Sequence, residues 1–187
     1  MLAPSLSEFS SIAFSDSVTD ELAASKRTTD FLLLSISHMA SAEITAASIS
    51  DLEAKHYYHG LCPKSVLVAR TGKDTWEPPT GPEAYLPCKE LRPPGYHPLN
   101  QAFGGPFGCK IEEFLDSKGV KWTSMDVVRI GIVDEDIAPV ILWIEVKPNT
   151  LSREAGSVVV KECKQFLVLN EFPDVEVEIR ELAISQP

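Results

Sequence analysis

The most constraining feature of the sequence is a two-residue alternation near its C-terminal end. From residue 175 to residue 180, valine or isoleucine occupies each odd position and glutamate or arginine each even position. Successive side chains of a strand point to opposite faces of a sheet, so this segment predicts a strand with one apolar and one charged face. Residues 126–133 and 139–147 predict two further strands. We therefore expect a sheet that helices cover on one face only, with Val128, Ile130 and Ile132 toward those helices.

Two helices and a fourth strand complete the predicted order. Apolar residues recur at helical spacing over residues 107–118, and again in a helix that opens near Ser152, a good N-cap, and carries Cys163 on its apolar face. Residues 65–70 are a short apolar run typical of a buried strand. The order strand, loop, helix, strand, strand, helix, strand predicts an α+β fold of the ferredoxin-like split βαβ type. In that fold four antiparallel strands carry two helices on one face.

Proline content limits what the segment between the first strand and the first helix can form. Eight of the 14 prolines fall within residues 71–106. Each proline fixes φ and removes a backbone donor, so this segment predicts a long loop with little regular structure. A loop of this length in a compact domain is either functional or laid over the core.

Composition separates a tail from a domain and excludes several function classes. Residues 1–55 are rich in Ser, Thr and Ala and contain no Gly, which predicts a partly helical or disordered tail before a single α+β domain over residues 56–187. No apolar run is long enough to span a membrane, and the net charge of −10 disfavours nucleic acid as a partner. The four cysteines lack a Cys-x-x-Cys motif, so we expect free thiols, no metal centre and a cytoplasmic protein.

Cationic and aromatic side chains concentrate in and near the proline-rich loop. A group of this kind can bind a carboxylate or a phosphate, although its aromatic members can equally pin the loop to the core. We therefore expect a non-catalytic interaction or ligand-binding module without a cofactor, with a regulatory role as one option. Its partner would be a protein or a small anionic ligand, bound by this loop or by the charged sheet face. The predicted binding residues are Arg70, Trp76, Tyr85, Lys89, Arg92 and His97.

A catalytic alternative rests on the hairpin formed by the second and third predicted strands. Asp134 or Asp136 in its turn, followed by Glu145 and Lys147, matches the residue types of PD-(D/E)xK nucleases. Two carboxylates would hold Mg²⁺, and the lysine would position the attacking water. Against this hypothesis, Glu145 and Lys147 lie on the charged face of the predicted sheet. Cross-strand pairing with Arg129 would satisfy them there as ordinary surface charges.

Six short motifs within residues 62–182 also support a resemblance. They are Val68-Ala-Arg-Thr71, Trp76-Glu-x-Pro-Thr-Gly-Pro-Glu-Ala-Tyr85, Lys89-Glu-Leu-Arg-Pro93, Trp122-Thr-Ser-x-Asp-Val-Val-Arg129, Pro139-Val-x-Leu-Trp-Ile144 and Asp174-Val-Glu-Val-Glu-Ile-Arg-Glu181. As a set they are similar to a group of uncharacterised filamentous-fungal proteins, whose longer members continue into a trypsin-like segment. The resemblance implies a non-catalytic N-terminal module, of a recognition or regulatory kind. In that group the position of Glu145 is often Gly, which weakens the nuclease hypothesis.

Overall fold

The computed structural model describes residues 48–81 and 84–182, which form one sheet with helices on both faces. Most of the predicted tail, residues 1–47, lies outside the described residues, and the predicted boundary at residue 55 falls inside the first helix. The elements are α1 (Asp51–His56), β1 (Ser65–Arg70), β2 (Lys89–Arg92), α2 (Pro98–Phe103), α3 (Pro106–Ser117), β3 (Trp122–Ile132), β4 (Val140–Val146), α4 (Arg153–Leu169) and β5 (Glu176–Leu182).

The sheet is mixed, and its five strands lie in the order β1-β5-β4-β3-β2. β5 pairs in parallel with β4, from which α4 separates it in the chain, whereas all other neighbouring strands are antiparallel. The prediction of a four-stranded antiparallel, ferredoxin-like sheet is therefore wrong. α3 and α4 do pack on one face as expected, but α1 covers the opposite face, which was expected to be open.

Two local features explain this error. β2 has only four residues, one of them apolar, and it lies inside the proline-rich segment, so it carries no periodic signal. β5 alternates between apolar and charged residues like a half-exposed strand. Its charged residues Glu178 and Arg180 are nevertheless buried, with 2% and 7% of their surface exposed, because Tyr57 and Tyr58 cover Glu178 and Trp143 stacks on Arg180. β5 can therefore occupy the sheet interior, a position that alternation would normally argue against.

The helices on the first face follow the predicted pattern closely. α3 and α4 confirm the helices predicted over residues 107–118 and from Ser152 onward. The Ser152 hydroxyl accepts a hydrogen bond from the backbone N–H of Ala155, as an N-cap should. Cys163 is buried in the core between α4 and the sheet, and this burial raises the pKa of its thiol to about 12. The thiol is therefore a small core group without reactivity near neutral pH.

β3 faces the opposite way from the prediction. Val127 packs into the core under α3 and α4, whereas Val128 and Ile130 pack into the second core under α1. β3 also begins four residues earlier than expected, at Trp122. Because both faces of this strand are covered, apolar residues occur at consecutive positions, and the alternation that would fix the strand's orientation is missing.

A bulge in β1 fixes the distance between the sheet and α4. The β1–β5 register shifts between Leu67 and Ala69, and as a result both Val68 and Ala69 face the core under α4. Gly156 of α4 lies directly against them. A Cβ atom added there would stand 3.0 Å from Val68 Cγ1 and 3.1 Å from Ala69 Cβ, closer than normal carbon contacts. Gly156 therefore permits the close approach of helix and sheet.

We expect Gly156→Ala to lower the free energy of unfolding by about 1–3 kcal/mol, because the added methyl group overpacks this contact. An ordinary glycine-to-alanine change inside a helix has the opposite sign and stabilises by about 1 kcal/mol. Urea denaturation of the full chain measures the difference. Val158→Ala, at an exposed position two residues away, is the control and should be near neutral. Stabilisation by Gly156→Ala would show that α4 is free to move away from β1.

Candidate functional site

The charged face of the sheet is not an open surface. α1 and the two residues after it, Tyr57 and Tyr58, lie over this face, and both tyrosines are less than 6% exposed. Their rings pack in a T-shaped pair, and Tyr58 makes a second such pair with Trp143 of β4. Four charged side chains are buried with them: Glu53, Arg70, Glu178 and Arg180.

Glu178 lies at the centre of this buried face. Its two carboxylate oxygens each accept a hydrogen bond of 2.8 Å, one from the Tyr57 hydroxyl and one from the Tyr58 hydroxyl. Burial raises the pKa of Glu178 above its ordinary value, while Lys89 favours the charged form. The Lys89 ammonium group lies 3.2 Å from the centre of the Tyr57 ring, and burial lowers its pKa. Desolvation thus outweighs the attraction between the two charged groups.

Arg70 ties α1 and the start of the proline-rich segment to the end of β1. Its guanidinium donates to Glu53 Oε1 at 3.0 Å and to Asp74 Oδ1 at 2.6 Å. It also donates to the backbone carbonyls of Gly72 and Asp74. Because internal acceptors occupy the whole fork, Arg70 holds the fold together and offers no donor to an external anion.

Arg180 lies at the other end of the same face. Its guanidinium stacks over the Trp143 ring at 3.5 Å, donates to the Ser65 hydroxyl and pairs with Glu145 Oε2 at 2.8 Å. Its Nε atom is buried and has no hydrogen-bond partner among the described residues. Burial accordingly lowers the pKa of Arg180, although Glu145 opposes this effect.

The structure does not bring the six predicted binding residues together into one site. Arg70 and Lys89 are parts of the buried network. Arg92 pairs with Glu90 at 2.7 Å, and His97 caps α2 and bonds Asp174, whose pKa it lowers. The two aromatic members, Trp76 and Tyr85, do not stack on any of these cations.

Trp76 and Tyr85 have different surroundings. Trp76 packs against the second core and lines a shallow pocket of about 250 Å³ together with Leu52, His56 and Pro79. Tyr85 is 83% exposed. The sequence allowed both aromatic residues to pin the loop to the core. Trp76 does so, whereas Tyr85 does not.

The four residues of the nuclease hypothesis are also separated. Asp134 and Asp136 lie in the turn before Val140, whereas Glu145 is five residues along β4, or about 16 Å away at the rise of a strand. Glu145 is instead engaged by Arg180 and by the hydroxyl of Thr123, and Lys147 is exposed beyond the strand. Over residues 48–81 and 84–182, no three His, Cys, Asp or Glu side chains are arranged to hold a metal ion.

Large apolar side chains are exposed on β2, on the segment after it and around the β3–β4 turn, and we call these segments the hairpin platform. It consists of Leu91, Tyr96, Val133 and Ile137, which are 43%, 101%, 40% and 82% exposed. Leu91 belongs to β2, which lies next to β3 in the sheet. Tyr96 follows β2 in the chain, and Ile137 precedes β4. Large apolar side chains are typical of interaction sites where they form one exposed patch.

Two arginines hold the platform segments in place. Arg129 of β3 donates to the carbonyls of Pro94 and Ala138, which are two residues from Tyr96 and one residue from Ile137. Arg92 donates to the carbonyls of Ile132 and Glu135 in the turn. The platform is therefore supported by side chain to backbone hydrogen bonds on both sides.

Sequence reasoning missed the platform because Leu91, Tyr96 and Ile137 fall in segments predicted as loop and turn, and Val133 was predicted as the end of a strand. The one available signal was Ile137, a large apolar residue next to three consecutive acidic residues. An exposed turn has no structural need for a β-branched apolar side chain.

Comparisons with protein-family models, curated proteins and solved structures give no match to this chain. The function is therefore inferred from the geometry of this chain. Within the part of the chain that the structure describes, no helix is long and apolar enough to cross a membrane.

Proposed function

We propose that this protein is a non-catalytic interaction module that binds a segment of another polypeptide on the hairpin platform. The observation that carries the proposal is the exposure of Tyr96 and Ile137 on segments that Arg129 fixes to the sheet. Tyrosine and other large side chains on a rigid support are enriched in protein interfaces, where they act as anchors at low entropic cost.

The charged groups favour binding over catalysis. Glu178 and the whole fork of Arg70 bond internal partners, and the unpartnered Nε of Arg180 is itself buried. A general acid or base must reach a substrate, and an anion site needs donors that are free to point outward. These side chains therefore stabilise the sheet and α1, and a small anionic ligand finds no open guanidinium fork in this network.

The test is a selection of random peptides displayed on phage against the purified full chain, followed by calorimetric titration of the enriched peptides. We expect Ile137→Asp to weaken their binding at least about tenfold, because it places a charge in the centre of the apolar contact. The aspartate is tolerated in the folded chain because residue 137 is exposed.

Val158→Asp is the matched control, since it introduces the same charge at an exposed apolar residue elsewhere, on α4. Its binding should equal that of the unmodified chain. If no peptide is enriched, or if the enriched peptides bind Ile137→Asp as well as the parent, the proposal is wrong.

A further inference from the structure

Four consecutive residues between β2 and α2 combine two prolines with a tyrosine. Pro93, Pro94, Gly95 and Tyr96 follow directly on β2, and none of them belongs to a helix or a strand. Proline fixes φ near the value of the polyproline II helix, a left-handed helix with three residues per turn and no internal hydrogen bonds. Because Pro93 and Tyr96 are three residues apart, they lie on the same edge of such a helix.

The side chains of this segment face solvent. Tyr96 is fully exposed, Pro93 is exposed and Pro94 is partly exposed. A single exposed tyrosine is ordinary on a protein surface, but here two prolines precede it at fixed spacing. Together they present a stiff segment that ends in a large ring, and a tyrosine ring of this kind is a typical anchor of protein contacts.

Both ends of the segment are fixed to the domain. Arg92, the last residue of β2, donates to two backbone carbonyls at the β3–β4 turn. His97 accepts a hydrogen bond from the backbone of α2 and pairs with Asp174 at 3.0 Å. The segment is therefore held out from the domain between two anchored residues, which reduces the entropy that a partner must remove on binding.

The backbone of the segment can accept hydrogen bonds from a partner. Proline has no N–H, so Pro93 and Pro94 present only carbonyl oxygens. The carbonyl of Pro94 accepts one bond of 3.4 Å from Arg129 Nε. A carbonyl oxygen has two lone pairs, so this atom keeps the capacity for a second donor.

Gly95 is the hinge of the segment. Its φ is 67°, in the left-handed region, so the chain turns between Pro94 and Tyr96. A polyproline II helix needs φ near about −75° at this residue. Glycine adopts either sign of φ with similar ease, and no atom lies within 4 Å of the place that a Cβ atom would occupy. Gly95 can therefore rotate into the polyproline II conformation without a clash.

We propose that residues 93–96 are a linear ligand that docks as a polyproline II helix in the aromatic-lined groove of a WW domain of a partner protein. Aromatic rings of the groove pack on the two prolines, and a neighbouring pocket takes the ring of Tyr96. This inference goes beyond the proposed function. There a partner's segment lies on this chain, whereas here a segment of this chain enters the partner.

The residue types favour this groove over that of an SH3 domain. The SH3 ligand is a Pro-x-x-Pro segment, whose two prolines are three residues apart on one edge of the helix. Residues 92–98 contain no two prolines at that spacing. The residue three positions after Pro93 is Tyr96, so the groove must accept a phenol ring where an SH3 ligand offers a second proline.

The test is calorimetric titration of the purified full chain with a panel of isolated WW domains, and SH3 domains are included in the same panel. We expect binding to WW domains and a loss of at least about tenfold in Tyr96→Ala, because the anchoring ring is removed. Pro93→Ala with Pro94→Ala should weaken binding by a similar factor, since the bound conformation is no longer preformed. Urea denaturation checks that these variants keep the stability of the parent.

Two matched controls lie in the same proline-rich segment. Tyr85→Ala removes an exposed tyrosine that no proline pair precedes at this spacing. Pro78→Ala with Pro79→Ala removes an exposed proline pair that Thr80 and Gly81 follow, without a tyrosine. Both controls should leave binding to the WW domains unchanged. If either control weakens binding as much as its counterpart at residues 93–96, the segment is not a specific ligand and the inference is wrong.

Gly95→Ala tests the bound conformation. Alanine disfavours a positive φ, so this variant shifts the segment toward the polyproline II helix and should bind at least as tightly as the parent. Weaker binding would show that a partner recognises the left-handed turn, which contradicts docking as a polyproline II helix.

Ile137→Asp separates this inference from the proposed function. The variant should leave WW-domain binding unchanged, because the ligand ends at Tyr96, although it should weaken the peptides selected on the hairpin platform. A loss of WW-domain binding in Ile137→Asp would place the contact on the platform and refute the linear ligand. Binding to SH3 domains alone, or to no WW domain of the panel, would also overturn the inference. The proposed function itself falls only with the peptide selection.

Discussion

Replacing Glu178 with alanine is expected to lower the free energy of unfolding by about 3–5 kcal/mol, because the change leaves buried groups without a partner. Both tyrosine hydroxyls that reach down from the end of α1 lose their acceptor, and Lys89 loses the carboxylate that opposes its desolvation. Urea denaturation of the full chain, followed by circular dichroism, measures the loss.

Glu178→Gln separates the hydrogen bonds from the charge. The amide can accept from one tyrosine hydroxyl and donate to the other, so this variant should lose less than half as much stability as the alanine variant. If both variants cost under about 1 kcal/mol, the hydrogen bonds between Glu178 and the two tyrosines do not hold α1 on the sheet.

The same variant gives a pH dependence with a definite sign. Burial raises the pKa of Glu178 in the folded chain above its value in the unfolded chain. Between those two values the folded chain binds more protons, so the stability contributed by this carboxyl is full at acid pH and is lost as the pH rises. The stability of the unmodified chain relative to Glu178→Gln should therefore fall from acid toward neutral pH. A rise over that range would show that Lys89 and Arg70 outweigh desolvation.

Arg70→Met is expected to have a similar cost of about 3–5 kcal/mol, since it leaves the carboxylate of Glu53 buried and uncompensated. The guanidinium is 1% exposed and Glu53 is 6% exposed, so neither group can turn to solvent without moving α1. The loss is measured by urea denaturation of the single variant beside the parent.

A double variant and a surface pair make this prediction specific. Arg70→Met combined with Glu53→Leu should recover at least half of the loss, because removing both charges leaves no unpaired carboxylate. Arg153→Met breaks the exposed pair between Arg153 of α4 and Asp51 of α1, and it should cost under about 1 kcal/mol. If the double variant recovers no stability, the loss in Arg70→Met comes from the broken contacts of Arg70 with Gly72 and Asp74 and not from the unpaired Glu53.

Much of the secondary structure, but not the strand order, could be predicted from the sequence. α4 has an unbroken apolar face and a serine N-cap, so local residues determine it. The position of β5 depends instead on Tyr57 and Tyr58, more than 100 residues away, which bury and bond Glu178. No local pattern indicates that a glutamate within an alternating strand will be covered by a distant helix.

The candidate site shows the same limit. The cationic and aromatic residues of the proline-rich segment were visible in the sequence, but whether a cation is free or paired depends on acceptors elsewhere. Arg92, for example, is held by carbonyls some 40 residues away in the chain. Arg129 fixes the segments that carry Tyr96 and Ile137 by bonding Pro94 and Ala138, and sequence spacing alone does not encode such tertiary contacts.

The strand order also governs the sequence of events when the chain is made. β1 emerges early from the ribosome, yet its partner in the sheet is β5, whose pairing joins Ser65 to Leu182. Chains fold as they are synthesised from the N-terminus, and pairing over such a separation is slow. Until residues 176–182 are available, β1 has no neighbour, β4 keeps an open edge and the tyrosines after α1 have no acceptor. The sheet therefore closes in a late step that joins both ends of the domain at once.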